Sequence, residues 1–124
     1  MFSPVLANPQ PDWAENTILT GFTFYDGDYG EAELNPELQL FLKAGEPPIV
    51  FTLGSANVLN PGVFYTESIK AATQLNRRAV LLIGGNKLPD NLTEKIFATN
   101  YAPYSRIFPH ACAIVHQGGI GTTA

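Results

Sequence analysis

Short, continuous apolar runs recur along the chain after residue 48. Three of them cover residues 49–53, 79–83 and 111–115, and a weaker one covers residues 94–99. A run of this length and composition is typical of a strand that a parallel sheet buries on both faces. The pattern therefore predicts four such strands in the second part of the chain.

The positions between the first two runs follow a helical period instead. Asn60 and Pro61 have the residue types of a helix cap and first helical residue, so the pattern predicts a helix that reaches about Asn76. A shorter helical turn is expected over residues 105–110. The apolar stripe of the longer helix consists of Tyr65, Ile69, Ala72 and Leu75.

Strands separated by helical segments predict an α/β fold, a Rossmann-like parallel sheet with right-handed crossovers. In such a sheet the loops that follow the strands all lie at one edge, and that edge binds ligands in open parallel sheets. The loops in question are residues 54–55, 84–85, 100–104 and 116–122.

The first part of the chain has a different character. Residues 17–25 are predicted to form a strand that Gly21 interrupts, and Asn35 is predicted to cap a short helix that ends before Gly45. We therefore divide the chain into residues 1–46, which form a lead-in with one strand and a short helix, and residues 47–124, which form the Rossmann-like domain.

Composition narrows the class of protein. Of the 124 residues 45% are hydrophobic and 15% charged, the net charge is -4, and no basic run occurs, which argues against nucleic acid and anionic membranes as partners. No apolar stretch is long enough to span a bilayer, so no transmembrane segment is expected. Cys112 is the single cysteine, which excludes an internal disulfide and a CxxC metal pair. A reducing, cytoplasmic location is expected.

The segment with the most chemical information is VHQGGIGTT, residues 115–123. It follows a predicted strand and is expected to open a helix, so its glycines and a helix start would bring backbone N–H groups close to an anion. His116 at the strand end would donate to a phosphate oxygen, and Thr122 and Thr123 would add hydroxyl donors. The spacing fits neither GxGxxG nor a P-loop, and a close-packed turn without a ligand is the alternative.

Four segments in the same order resemble family 1 glycosyltransferases of the sterol- and antibiotic-modifying type. HQGGIGTTA resembles their HHGGAGTTA segment and is similar to HCGWNS of plant UDP-glycosyltransferases. PPIVFTLGSANVL resembles PPVYVGFGSM, and NYAPYSRIFPHACAIVHQGG is similar to DFVPHxxLFPRCAAVVHHGG. ILTGFTFYD resembles VTGFWFLD, which joins the two domains of these enzymes. The resemblance covers nearly the whole chain.

The resemblance implies that residues 47–124 are an incomplete GT-B donor-binding domain, which binds a nucleotide-sugar and is truncated at its C-terminal end, and that residues 1–46 are a lead-in between domains. It also assigns roles to single residues. His116 matches a phosphate-contacting histidine, and Tyr101 falls where plant enzymes carry a base-stacking tryptophan. Gln117 replaces a second histidine or a cysteine, at a position that the resemblance implies is tolerant. The nucleotide-sugar-binding residues expected on this basis are Gly54, Ser55, Tyr101, Tyr104, His116, Gly118, Gly121 and Thr122.

The implied parent enzyme transfers a hexose from a nucleotide-sugar, expected to be UDP-linked, to a hydroxyl of a small or lipid-like acceptor. The donor is a substrate, and no metal or other cofactor is expected. The catalytic base is expected in an acceptor domain outside this chain, so no catalytic residue is named. A non-catalytic nucleotide-binding module and a nucleotide-sugar epimerase of the same fold class remain alternatives. An open sheet edge would also allow self-association.

Overall fold

The computed structural model describes residues 8–23, 33–87, 89–90 and 92–123. Within these ranges the chain forms an α/β fold, as the sequence predicts. The elements in chain order are α1 (Pro36–Lys43), β1 (Ile49–Thr52), α2 (Gly54–Asn57), α3 (Phe64–Gln74), β2 (Ala79–Leu82), β3 (Ile96–Thr99), α4 (Tyr104–Ile107), a 3-10 turn (Phe108–His110), β4 (Ala113–Val115) and α5 (Ile120–Thr123).

The four strands form one parallel sheet in the order β3–β2–β1–β4. Ile49 at the start of β1 is in register with Ala79 of β2 and with Ala113 of β4, while Ala79 is also in register with Ile96 of β3. The prediction of a Rossmann-like parallel sheet is therefore confirmed. The carboxyl ends of all four strands lie at the same edge.

The two central strands bury both faces, which explains their uninterrupted apolar sequences. Phe51 and its neighbours on one face pack in a cluster with Tyr65 and Ala72 of α3. Val50 and Val80 on the other face pack in a second cluster with residues of α1 and α4. The layers are thus helix, sheet and helix around β1 and β2.

Strand β4 differs from the prediction of burial on both faces. All three of its residues are exposed, with Ile114 at 37% and Val115 at 39% of their full accessibility. It is an outer strand of the sheet and pairs only with β1 among the described strands. The apolar sequence predicted the strand correctly, but the predicted burial of its side chains was wrong.

Helix α3 begins at Phe64, four residues after the predicted cap Asn60. Residues 60–63 instead form turns, in which Gly62 has a left-handed φ of 53° and the Phe64 amide donates to the Pro61 carbonyl. A left-handed residue cannot continue a right-handed helix, so the helix starts only after the turn. The predicted start at Asn60 is wrong.

Helix α1 matches its prediction closely. The Asn35 side-chain oxygen accepts hydrogen bonds from the amides of Glu37 at 2.8 Å and Leu38 at 3.4 Å, and Pro36 is the first helical residue. Its buried face packs Leu38 and Leu42 against the sheet. The boundary between residues 46 and 47 remains a prediction, although α1 shares a core cluster with the sheet.

We expect Asn35→Ala to lower the free energy of unfolding by about 1 kcal/mol, because the first amides of α1 lose their side-chain acceptor. Asn35→Asp keeps an acceptor oxygen and is the matched control, with a change of a few tenths of a kcal/mol. Urea denaturation measures both values. Equal losses in the two variants would contradict the capping role.

The predicted lead-in strand is not formed over residues 17–23, the part of it that the structure describes. Gly21 has a left-handed φ of 79°, which breaks an extended backbone, and the segment joins none of the strands of the sheet. Phe24 and Tyr25, the last two residues of that prediction, lie outside the described residues.

Candidate functional site

The loops that follow the four strands gather at one edge of the sheet, where the sequence predicts a ligand site. Parallel pairing continues past β2, since the amides of Ile83 and Gly84 donate to the carbonyls of Thr99 and Asn100, each at 2.9 Å. The chain leaves β1 at Gly54, and it leaves β4 at His116. Hydrogen bonds that continue the sheet therefore hold the beginnings of the loops after β2 and β3 together at this edge.

The turn after β4 is formed by His116 and the glycines that follow it. Gly118 has a left-handed φ of 81°, a conformation that favours glycine, and its amide donates to Nδ1 of His116 at 3.2 Å. Because Nδ1 accepts this hydrogen bond, the proton of the neutral imidazole lies on Nε2. His116 thus has an N–H available to donate to a ligand.

Helix α5 begins directly after this turn, as predicted. The amides of Thr122 and Thr123 donate to the Gly119 carbonyl, each at 3.0 Å. The Thr123 hydroxyl also donates to that carbonyl, at 2.9 Å, so its proton is used inside the helix and the expectation of a free Thr123 donor is wrong. Gly121 and Thr122 lie in this first turn, and Thr122 is half-buried.

The turn after β1 comes close to the turn after β4 through the side chain of Gln117. Gly54 has a left-handed φ of 67°, and a Cβ added to it would lie 2.7 Å from Nε2 of Gln117. A Cβ added to Gly119 would lie at the same distance from that nitrogen. The Gln117 amide therefore occupies the space between two glycine turns. The sequence interpretation treated this position as tolerant and missed the contact.

The residues after Gly54 form the short helix α2 rather than the predicted loop, and Ser55 is exposed on it. Asn86 holds this helix to β2, because its amide nitrogen donates to the carbonyls of Val58 at 2.6 Å and Ile83 at 2.7 Å. A Cβ on Gly84 would lie 2.6 Å from a methyl group of Val58. Close packing therefore requires glycine at position 84. The sequence analysis considered this turn only as part of the ligand-binding edge.

Tyr101 and Tyr104 follow β3 but differ in their surroundings. Tyr101 is 59% exposed and lies just after β3, the outer strand on the side of the sheet opposite to β4. With three strand spacings between β3 and β4, Tyr101 and His116 lie about 14 Å apart along the edge. Tyr104 is half-buried: its hydroxyl is 2.9 Å from the Thr52 hydroxyl, and its ring stacks on Phe108. The Tyr104 side chain therefore packs α4 on β1.

Tyr65 is a further hydroxyl near this edge that sequence reasoning used only as a core residue. It is 6% exposed, and its hydroxyl donates to the Leu82 carbonyl at 2.5 Å. Burial, with a smaller contribution from Tyr104, raises the pKa of Tyr65 to about 12. The side chain is thus a neutral donor that holds the end of β2, and it is unsuited to act as a general base.

Two surface cavities lie away from the predicted edge. One of 240 Å³ lies where α3 ends and β3 begins, beside Asn76 and Lys95, and the other, of 350 Å³, lies between α1 and the residues around His110. Among the described residues, no three His, Cys, Asp or Glu side chains are grouped to hold a metal ion. Within the same ranges no helix has the length and apolar character needed to cross a membrane.

No protein-family model matches the chain. It is 37% identical over 124 residues to the O-mycaminosyltylonolide 6-deoxyallosyltransferase of Streptomyces fradiae, a match that covers 99% of this chain and 28% of the relative. It is 32% identical to a sterol 3-beta-glucosyltransferase of Arabidopsis thaliana, over 100% of this chain and 20% of the relative. It is 33% identical to the vancomycin aglycone glucosyltransferase of Amycolatopsis orientalis, over 97% of this chain and 28% of the relative.

These relatives are similar to the chain along nearly all of its length, and the chain spans less than a third of theirs. Three glycosyltransferases with different acceptors in their names share this one segment with it. The common part of the names is glycosyl transfer to a sterol or an antibiotic. The chain therefore belongs to the family of the sterol and antibiotic glycosyltransferases, and it corresponds to one segment of them.

Proposed function

We propose that the chain binds the diphosphate of a nucleotide-sugar at the carboxyl edge of its sheet, as the donor-binding part of a hexosyltransferase. The donor is UDP-linked, and the acceptor is a hydroxyl of a small or lipid-like molecule. Relatives named for transfer of 6-deoxyallose or glucose to an antibiotic or a sterol support this class of reaction.

The observation that carries the proposal is the turn of residues 116–119. The Gly118 amide satisfies Nδ1 of His116 and leaves the proton on Nε2. Gly118 has a left-handed conformation, and a Cβ added to it would meet nothing within 4 Å. The backbone beside His116 is therefore open to a ligand. A phosphate oxygen would accept a strong, charge-assisted hydrogen bond from this N–H donor, and the open backbone beside it leaves room for the ligand.

The proposed contribution to the reaction is electrostatic. When the bond between sugar and diphosphate breaks, negative charge increases on the leaving nucleotide. A donor that is already oriented stabilises that charge at low reorganisation cost. His116 has this role in our proposal, and the group that removes the acceptor proton is expected outside this chain.

Tyr101 has the base-binding role in the same proposal. Its exposed ring offers an aromatic face at the opposite end of the edge from His116. A nucleoside diphosphate would then lie along the edge with its phosphates at β4 and its base at β3. Gly54 and Ser55 follow β1, which lies between β2 and β4, so they would face the middle of the ligand.

We expect the chain to bind UDP at least about tenfold more tightly than UMP, because each hydrogen bond to the second, charged phosphate contributes about 1.4 kcal/mol. His116→Ala should weaken UDP binding about tenfold and leave UMP binding almost unchanged. His110→Ala is the matched control, since His110 is exposed on the 3-10 turn after α4 and should leave both affinities unchanged. Titration calorimetry measures the affinities of all three proteins for UDP and for UMP.

Equal or tighter binding of UMP would contradict the assignment of a diphosphate site. A His116→Ala variant that binds UDP like the unchanged chain would remove His116 from it. Loss of affinity in His110→Ala alone would move the site to the face that α4 occupies.

A further inference from the structure

We propose that Gln117 is a binding residue of the diphosphate site, whose side-chain amide donates a hydrogen bond to a phosphate oxygen and thereby selects diphosphates over monophosphates. The inference rests on the proposed function, and it goes beyond it because the resemblance gives this position no role. It follows from where the Gln117 side chain lies and from which groups surround it.

The position of the amide is unusual for a residue in an exposed turn. Its nitrogen lies so close to both Gly54 and Gly119 that a Cβ on either residue would be 2.7 Å away. Gly54 follows β1 and Gly119 precedes α5, so the amide lies in the cleft between two neighbouring strand ends. The two glycines leave room for the Gln117 side chain, which lies between the two turns.

The amide is also chemically available. Gln117 is exposed, and its side chain makes no hydrogen bond within the described part of the chain. An amide offers two N–H donors, whereas phosphate oxygens at neutral pH are acceptors only. Beside it, His116 presents Nε2 as a donor. Two adjacent residues would therefore supply two side-chain donors, both for the second phosphate group of a diphosphate.

A neutral donor has a further consequence for the ligand. A glutamine carries no charge to be neutralised, so its contribution depends on the geometry of one hydrogen bond rather than on long-range attraction. A hydrogen bond to a charged group contributes more than one to a neutral group. We therefore expect Gln117 to affect ligands that carry a second phosphate and to leave UMP almost unaffected.

The competing explanation is that Gln117 only fills the space between Gly54 and Gly119. Gln117→Met separates the two explanations, because methionine has nearly the length of glutamine and donates no hydrogen bond. A space-filling residue would tolerate this substitution, whereas a donor to phosphate would not. Gln117→Glu tests how close the position lies to the ligand, because its carboxylate would repel a phosphate group in either case.

The experiment is titration calorimetry of the chain with UDP and with UMP. We expect Gln117→Met to weaken UDP binding about tenfold and Gln117→Glu about a hundredfold, with little change for UMP in the methionine variant. Gln74→Glu is the matched control for added negative charge, since Gln74 ends α3 at the opposite edge of the sheet. It should bind both ligands like the unchanged chain.

The outcomes separate this inference from the proposed function. If His116→Ala weakens UDP binding and Gln117→Met binds UDP normally, Gln117 only fills space and this inference is overturned while the diphosphate site stands. If the unchanged chain binds no UDP, both are overturned. Melting temperatures within about two degrees of the unchanged chain show that a loss of affinity in the Gln117 variants is not a loss of folding.

Discussion

Leu38→Ala is expected to lower the free energy of unfolding by about 2–5 kcal/mol. Leu38 is 0% exposed on α1, where it packs with Val50 and Val80 on one face of the sheet. Alanine in its place leaves a cavity between the helix and the two central strands, and these cannot close without moving the sheet. A domain has about 5–15 kcal/mol of stability in total, so the variant would lie near the limit of folding.

Leu40→Ala is the matched control, because Leu40 is on the same helix and 69% exposed. It should change the free energy of unfolding by less than about 0.5 kcal/mol. Urea denaturation followed by circular dichroism measures both variants. Equal effects would mean that α1 is not part of the cooperative unit, and that residues 1–46 are a lead-in independent of the domain.

The strands were predictable because burial on both faces requires apolar residues along the whole strand, and this pattern is visible in the local sequence. A position in β1 or β2 meets a helix on either side, so polar residues are largely excluded along the whole strand. The strand order β3–β2–β1–β4 could not be predicted in this way, because it depends on where each crossover connection places the next strand and not on the local sequence. Local pattern therefore predicted the elements and the fold class, and not the arrangement within the sheet.

The start of α3 and the lead-in strand were predicted wrongly for two different reasons. Asn60 and Pro61 have the residue types of a helix start, but the left-handed Gly62 behind them forces a turn. The run 17–25 is apolar enough for a strand, but over residues 17–23 it pairs with none of the four strands. In both places the residue types are common to two kinds of structure. The conformation of a nearby glycine determined the structure in the first case, and the lack of a pairing partner determined it in the second.

The candidate site divides in the same way. Parallel strands bring their carboxyl ends to one edge whatever their order, so Gly54, Tyr101 and His116 could be placed there from sequence. The contact of Gln117 with Gly54 and the hydrogen bonds of Asn86 to α2 could not, because they depend on the direction of single side chains across the edge. Ligand binding by these residues remains a prediction.

The stability of the chain should fall between about pH 10 and pH 12 because of Tyr65. Its pKa is about 12 in the folded chain and about 10 in the unfolded chain. Below pH 10 the hydroxyl is protonated in both states and its contribution is complete. Above pH 10 the unfolded state loses the proton first, which favours unfolding. Two pH units correspond to roughly 2–3 kcal/mol, lost progressively as the pH approaches 12.

Tyr65→Phe tests this dependence directly. At pH 8 the variant should be about 1 kcal/mol less stable, because the buried Leu82 carbonyl loses its donor. Its stability should then fall less steeply above pH 10, so that the curves of the two proteins converge. Asn35→Ala is the control, since it costs a similar amount at pH 8 and keeps Tyr65, and it should follow the unchanged chain in parallel. Urea denaturation from pH 8 to pH 11.5 measures the three curves. Parallel curves for Tyr65→Phe and the unchanged chain would show that the hydroxyl ionises as readily in the folded state as in the unfolded one.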